Sequence, residues 1–597
     1  MDQQLRQTWD LESIFPGGSQ SPVLTEHLQN LEHVLEGLKE QVSALPDGTA
    51  AAGVRDRWHE VLERFQAAVE GLGQGSSFVG CLMAQDVKDR QARLLYGQTS
   101  QLYAQLSSLM TLLDARLLAL SDQALEALLA DERMAPLAFN LRERRTVARH
   151  KMAPEREMLA ADLSVDGYHA WGVMYDTVVG RMTIKLEHDG KVEELSVGQA
   201  ANKFSEPDRA MRQKLFDKWE EAWGNEAELC AAALNHLSGY RLALYRHRGW
   251  DSILKEPLTM NRMTEATLNA MWEAVGTAKD GLARYYARKA KLLGHDQTNW
   301  HDLYAPLAQV TRKIPYEEAA AFIIGHFGRF SPGMAEFAER AFKQAWIEVE
   351  DRPAKAPGGF CTSLPLSKES RIFMTYSGDT DGVRTLAHEL GHAYHSHVMM
   401  DLPPLTQDYA MNVAETASTF AELLINAAAI ANATSKEEKL ALLDSKISDS
   451  AAYLMNIHAR YIFETRFYDA RRKGMVSIER LNSLMEEAQK EAYHGALGVY
   501  HPHFWASKGH FYGTDQPFYN FPYTFGYLFS AGIYARALQE GPAFEQKYVE
   551  LLRDTGRMMV EDLAARHLGV DLTRPDFWLT GVNQALADVE EFLHLTE

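Results

Sequence analysis

Residues 381–398 read DGVRTLAHELGHAYHSHV, and the rest of the chain is best understood from this stretch outward. Val383, Leu386, Ala387, Ala393 and Tyr394 recur at helical spacing, which predicts a buried amphipathic helix. His388 and His392 stand four positions apart on it, offset by about 40° around the axis and roughly 6 Å along it. Two imidazoles so placed converge on one ion. Glu389 projects beside the pair and can reach a water held there, which is the logic of the H-E-x-x-H zinc pattern. Gly391 costs about 1 kcal/mol relative to Ala in a helix interior. Close approach of a second backbone at this position would account for it.

Catalytic zinc usually takes three protein ligands and keeps one position open. The position six residues beyond His392 is Val398, so the metzincin extension is absent. On the helical wheel His395 lies near His392, whereas His397 points away. A carboxylate from the next helical pattern, MNVAETASTFAELLINAAAIANA, fits better. Its Glu415 has only small and apolar near neighbours, where an unpaired carboxylate is costly to bury. Glu422, seven residues on, shares that face and is placed to orient a ligating histidine. A carboxylate near a helix start also complements the helix dipole, which is the competing explanation for Glu415.

Outward from this centre the chain reads as mainly α. In PVLTEHLQNLEHVLEGLKEQVSALP, Leu24, Leu28, Leu31, Val34, Leu35 and Leu38 form a helical stripe, and similar stripes run through 54–72, 79–120 and 121–131. One β signal interrupts them: Met182, Ile184 and Leu186 alternate, Asp189-Gly190 reads as a type I′ turn, and Val192, Leu195 and Val197 follow. This hairpin, about 181–198, closes an N-terminal helical region, 1–200, ahead of a second region, 201–597. A further strand pattern, RIFMTYS, lies at 371–377 after the loop RPAKAPGGF.

Composition narrows the function classes. The 61 basic and 81 acidic side chains leave a net charge of −20, which argues against nucleic acid and anionic membrane surfaces as partners. No run of 18 apolar residues is found, so no membrane span is expected. Three scattered cysteines and an N-terminus without a basic and apolar leader predict a reducing, cytoplasmic location.

A second constellation, Tyr500 to Tyr534, is dense in Tyr, Phe and His ahead of a helix expected from about 524. Aromatic clusters are mostly core, yet phenol and imidazole donors at a loop-to-helix junction also suit an oxyanion. The residues alone leave both uses open.

These stretches together resemble the thimet oligopeptidase and oligoendopeptidase F family of zinc metallopeptidases, closest to the oligoendopeptidase F branch. The likeness rests on WDLESIFP at 9–16, PAKAPGGF at 353–360, TLAHELGHAYHSH at 385–397 with VAETASTFAE at 413–422, and HFYGTDQPFYNFPYTFGYLFS at 510–530. The resemblance implies one Zn2+ per chain on His388, His392 and Glu415, with Glu389 as catalytic base. It implies oxyanion donors in 501–534, namely His510 and, among tyrosines, Tyr519, Tyr523 and Tyr527. It also implies a large two-lobed helical fold enclosing a deep substrate channel, with a few short β-strands. Short unstructured peptides cut at internal bonds are then the expected substrates, and strand 371–377 is a candidate to pair with their main chain. Removal of C-terminal dipeptides or single residues is the alternative activity, and peptide binding around a structural zinc the alternative without catalysis. The quaternary state, monomer or dimer, is not fixed by these residues.

Overall fold

The computed structural model describes residues 4–46, 52–188, 190–308 and 313–597. The chain is mainly α as the periodicity predicts, 72% helical, with five short strands among the described residues. It divides into two compact units, one of 1–151, 311–425 and 533–569, the other of 152–310, 426–532 and 570–597. Each unit draws residues from both sides of position 200.

In the first unit, helices Pro22–Ser43, Ala52–Gln85 and Arg90–Ala119 pack on one another. Ser21 caps the first by accepting from Leu24 N–H, with Pro22 at the first turn. Leu24, Leu28, Leu31, Leu35, Leu38 and Val42 are buried along it, and each is worth about 1.5–3 kcal/mol in transfer free energy. This core runs on into a three-stranded sheet through Leu364 and Phe373.

Two hairpin strands come first in the chain, β1 (Thr183–His188) and β2 (Lys191–Ser196); the sheet of the first unit comprises β3 (Ile347–Glu348), β4 (Phe360–Leu364) and β5 (Glu369–Phe373), in order β3-β5-β4. The N-terminal WDLESIFP segment locks it: Trp9 N–H donates to Glu348, its ring lies 5.6 Å from Phe373, and Arg371 donates to Asp10 O. The strand expected at 371–377 thus runs over 369–373 and is central. Both of its sides are filled, β3 parallel and β4 antiparallel, so a substrate strand has no free edge of β5 to join; that expectation is corrected. The outer edges of the sheet belong to β3 and β4.

In the second unit, β1 and β2 form the expected hairpin, with Ile184 paired to Leu195. Ile184, Leu186 and Leu195 are buried, while Val192 is exposed, matching the weaker alternation of the second strand. Asp189 of the expected turn lies outside the described residues; Gly190 has φ 73°, a left-handed conformation that suits glycine. Long helices Arg209–Arg248 and Glu265–Leu292 follow, the latter packed on Pro575–Thr596. Among the described residues one stretch, Met411–Ala431, is long and apolar enough by composition to cross a membrane; 56% of its window is buried within the protein, and it carries Glu415 and Glu422. All three cysteines are free.

Candidate metal centre

Helix Thr380–Met399 starts at Asp379, whose carboxylate accepts from Gly382 N–H at 2.8 Å. Leu386, Ala387, Leu390 and Ala393 point inward and are fully buried. A Cβ on Gly391 would lie 2.5 Å from Ala417 O and 2.6 Å from Ser418 Cα. The backbone of helix Thr416–Ala431 therefore passes directly against Gly391, which is the close approach that the glycine suggested. This crossing carries Glu415, at the break between helices Met411–Ala414 and Thr416–Ala431, to the two histidines.

The three donor atoms form a near-regular triangle. His388 Nε2 and His392 Nε2 are 3.1 Å apart, and each is 3.4 Å from Glu415 Oε2. Tetrahedral zinc with donors at about 2.0–2.1 Å places them about 3.3 Å from one another. The donor set and its spacing fit that ion, with two neutral nitrogens and one carboxylate. Two imidazole nitrogens 3.1 Å apart need a proton or a cation between them, and a shared metal ion fills that place.

Neighbouring groups hold these donors in aim. His388 Nδ1 lies 2.6 Å from Glu422 Oε1, so Nδ1 carries the proton and Nε2 presents its lone pair. Ser418 Oγ–H donates to Glu415 Oε2 at 2.6 Å. Burial opposes charge on His388, but the Glu422 hydrogen bond and the charges of Glu422, Glu415 and Glu389 lift it to about 9. Burial likewise opposes charge on Glu415, yet His392, His388 and Ser418 together bring it down to about 2. Glu389 behaves differently. Burial raises its carboxyl, the two histidines only partly countering, and Oε2 is buried with no hydrogen-bond partner. Gly359, at the start of β4, has space for a Cβ only 3.5 Å from Glu389 Oε1, so the PAKAPGGF loop lies against this carboxylate.

The other two histidines of the helix are engaged elsewhere. His395 is fully buried, bonded to Thr555 Oγ1 at 2.9 Å and stacked on Tyr409, whereas His397 stacks on Phe337 beside Arg340.

The aromatic candidates belong to the second unit. His510 lies edge-on to Tyr519, with ring centroids 4.9 Å apart, and stacked with Tyr523 at 5.8 Å. Tyr527 stands apart: it is buried, stacked on Tyr453, and its hydroxyl bonds Ser450 Oγ at 2.8 Å. His510 Nδ1 is 2.8 Å from Asn520 Oδ1, which also accepts from Arg460. Nδ1 also lies 3.3 Å from an Arg460 guanidinium nitrogen, so both residues hold the ring from that side. Burial, with the charges of Arg460 and Lys508, pulls His510 down to about 4, so the ring is neutral at pH 7. Sequence reasoning missed Arg460 and Asn520; Arg460 is one of three arginines on helix Ile457–Arg471, and nothing in the sequence sets it apart.

The model of peptidase family M3 matches residues 204–584, and that described as Oligopeptidase F matches 116–184. Oligopeptidase PepF of Bacillus subtilis is 22% identical over 579 residues, spanning 95% of this chain and 84% of its own. An oligoendopeptidase F homolog of Lactococcus lactis is 27% identical over 340 residues, 55% of each chain. The crystal structure of oligoendopeptidase-F from Enterococcus faecium shares the fold with a TM-score of 0.68 at 17% identity, covering 96% of this chain and 98% of that one.

Proposed function

Because the chain belongs to peptidase family M3 and is a metallopeptidase, we propose that it is a zinc-dependent oligoendopeptidase hydrolysing internal bonds of short unstructured peptides. The observation that carries this reading is the donor triangle of His388, His392 and Glu415 with an unpartnered carboxylate oxygen of Glu389 beside it in the chain. These three side chains would hold the zinc. Zinc supplies Lewis acidity toward the scissile carbonyl and lowers the pKa of water toward about 7.

Glu389 takes the proton of the attacking water and delivers it to the leaving amine. Its raised carboxyl brings it closer to neutral pH, where a general base works best. Glu422 fixes the His388 ring, and Ser418 fixes the Glu415 carboxylate. Developing negative charge on the carbonyl oxygen needs donors, and the phenols of Tyr519 and Tyr523 are the candidates that the family resemblance offers. Neutral His510 is held at Nδ1 by Asn520 and Arg460. Tyr527 spends its hydroxyl on Ser450. The division near residue 200 is supported by the family match beginning at 204, with the catalytic region following it. Cytoplasmic location remains our reading, supported by three unpaired cysteines.

A library of short peptides incubated with the protein, and read by mass, tests the function. Internal cleavage that stops with chelator and returns with zinc is expected. Cleavage surviving complete metal removal contradicts the reading. A folded protein should resist while peptides copied from its sequence are cut.

A further inference from the structure

Beside the His510 cluster stand two cations with no anion to balance them. Arg460, on helix Ile457–Arg471, is 8% exposed. Its guanidinium donates to Asn456 Oδ1 at 2.6 and 2.9 Å and to Asn520 Oδ1 at 3.1 Å, both neutral amides. The charges that reach it come from the phenols of Tyr304, Tyr493 and Tyr523, and none from a carboxylate. Glu464, one turn further on the same helix, faces Arg241 instead. The ammonium of Lys508, two residues before His510, makes no hydrogen bond or ion pair among the described residues. Its ammonium and the Arg460 guanidinium both sit against the Phe504 ring, 5.5 and 5.4 Å from its centroid.

Burial without a counter-charge is costly for either group. Burial and the neighbouring arginine together push Lys508 down to about 7. Two other buried cations of the same unit are paired: Lys289 meets Asp444 at 3.0 Å and Arg212 meets Asp302 at 3.0 Å. The exception lies next to the residues to which the proposed function gives the oxyanion. A peptide substrate always brings one carboxylate, its C-terminus, and acidic side chains bring others.

We propose that Lys508, in the field of Arg460, is a carboxylate-binding subsite for the peptide substrate. This rests on the peptidase reading and narrows it to peptides with an anionic group on the side that meets the His510 cluster. Ligand binding restores the counter-charge that the fold leaves out.

Binding tests this apart from turnover. Zinc-loaded Glu389→Gln protein is titrated calorimetrically with matched peptides, identical except for a free C-terminal carboxylate or an amide. A second pair, both amides, differs by Glu or Gln at one internal position. One charge-assisted contact predicts a preference on the order of tenfold to hundredfold for the carboxylate of one pair. Adding Lys508→Gln should bring that ratio close to one, and Lys508→Arg should restore it. A terminal preference assigns the chain end, and an internal one assigns an acidic side chain. Equal affinities in both pairs, or a preference that persists in Lys508→Gln, overturns the proposal. Should Lys508→Gln fail to fold, the ratios in the parent protein still decide. Wild-type protein that binds the carboxylate peptides selectively yet cuts none would overturn the peptidase reading while leaving the subsite standing.

Discussion

Replacing Gly391 with Ala asks whether the contact between two helices sets the metal centre. The new methyl would stand 2.5 Å from Ala417 O and 2.6 Å from Ser418 Cα, against an ordinary contact of at least 3.4 Å. The shortfall of about 0.9 Å falls on backbone atoms, which have no rotamer to give. Helix Thr416–Ala431 must therefore move away, taking Glu415 with it. Helix propensity alone would favour the alanine by about 1 kcal/mol. Overpacking typically costs about 1–3 kcal/mol, so the propensity gain is cancelled and the net runs from about zero to about 2 kcal/mol destabilising. A carboxylate displaced by nearly an ångström no longer closes the 3.4 Å triangle, and we expect zinc affinity to fall on the order of 10–100-fold, the scale seen when the support of a ligand is lost. Gly37→Ala serves as the control: that glycine is also helical, with nothing within 4 Å of its Cβ, and should gain about 0.5–1 kcal/mol. Urea unfolding and zinc titration against a competing chelator read both effects. Gly391→Ala protein as stable as the control and with unchanged zinc affinity would refute the reasoning.

Glu389→Gln should retain zinc while kcat falls on the order of 10²–10⁴-fold, and near-normal turnover would remove Glu389 as base. Glu415→Ala should weaken zinc retention more than Glu422→Ala, because one loses a donor and the other only its aim; chelator titration of both variants would expose a reversed order. In the metal-free protein the carboxylates keep His388 protonated up to about pH 9, and zinc must displace that proton. Apparent affinity should therefore rise roughly tenfold per pH unit toward about pH 9 and then level, more shallowly in Glu422→Gln, whereas an affinity flat across that range contradicts the geometry. Tyr519→Phe or Tyr523→Phe should lower kcat on the order of 10²–10³-fold, and Tyr527→Phe far less; steady-state rates with one peptide rank the three.

Much of the centre was legible because it is local. Helical period placed His388 and His392 on one face, and Gly391 announced a crossing backbone before any coordinates did. The spacing of Glu415 and Glu422 reflects one helical face, and the structure puts the first 3.4 Å from the Nε2 atoms of His388 and His392 and the second on His388 Nδ1. Long-range pairing was not legible. Nothing in RIFMTYS says that it lies between two other strands. The Tyr527 hydroxyl is taken by Ser450, 77 positions away, a pairing that the resemblance naming it together with Tyr519 and Tyr523 does not record. Arg460 and Lys508 meet around Phe504 from distant parts of the chain, and a missing counter-charge has no sequence pattern. The two compact units interleave segments of the chain, which hydrophobic periodicity does not record.

Anomalous diffraction at the zinc edge from crystals of the zinc-loaded protein tests the central claim most directly. The account predicts a single strong peak per chain, about 2.0–2.2 Å from His388 Nε2, His392 Nε2 and a Glu415 oxygen. A peak elsewhere, or one at the histidines with Glu415 turned away, would contradict it.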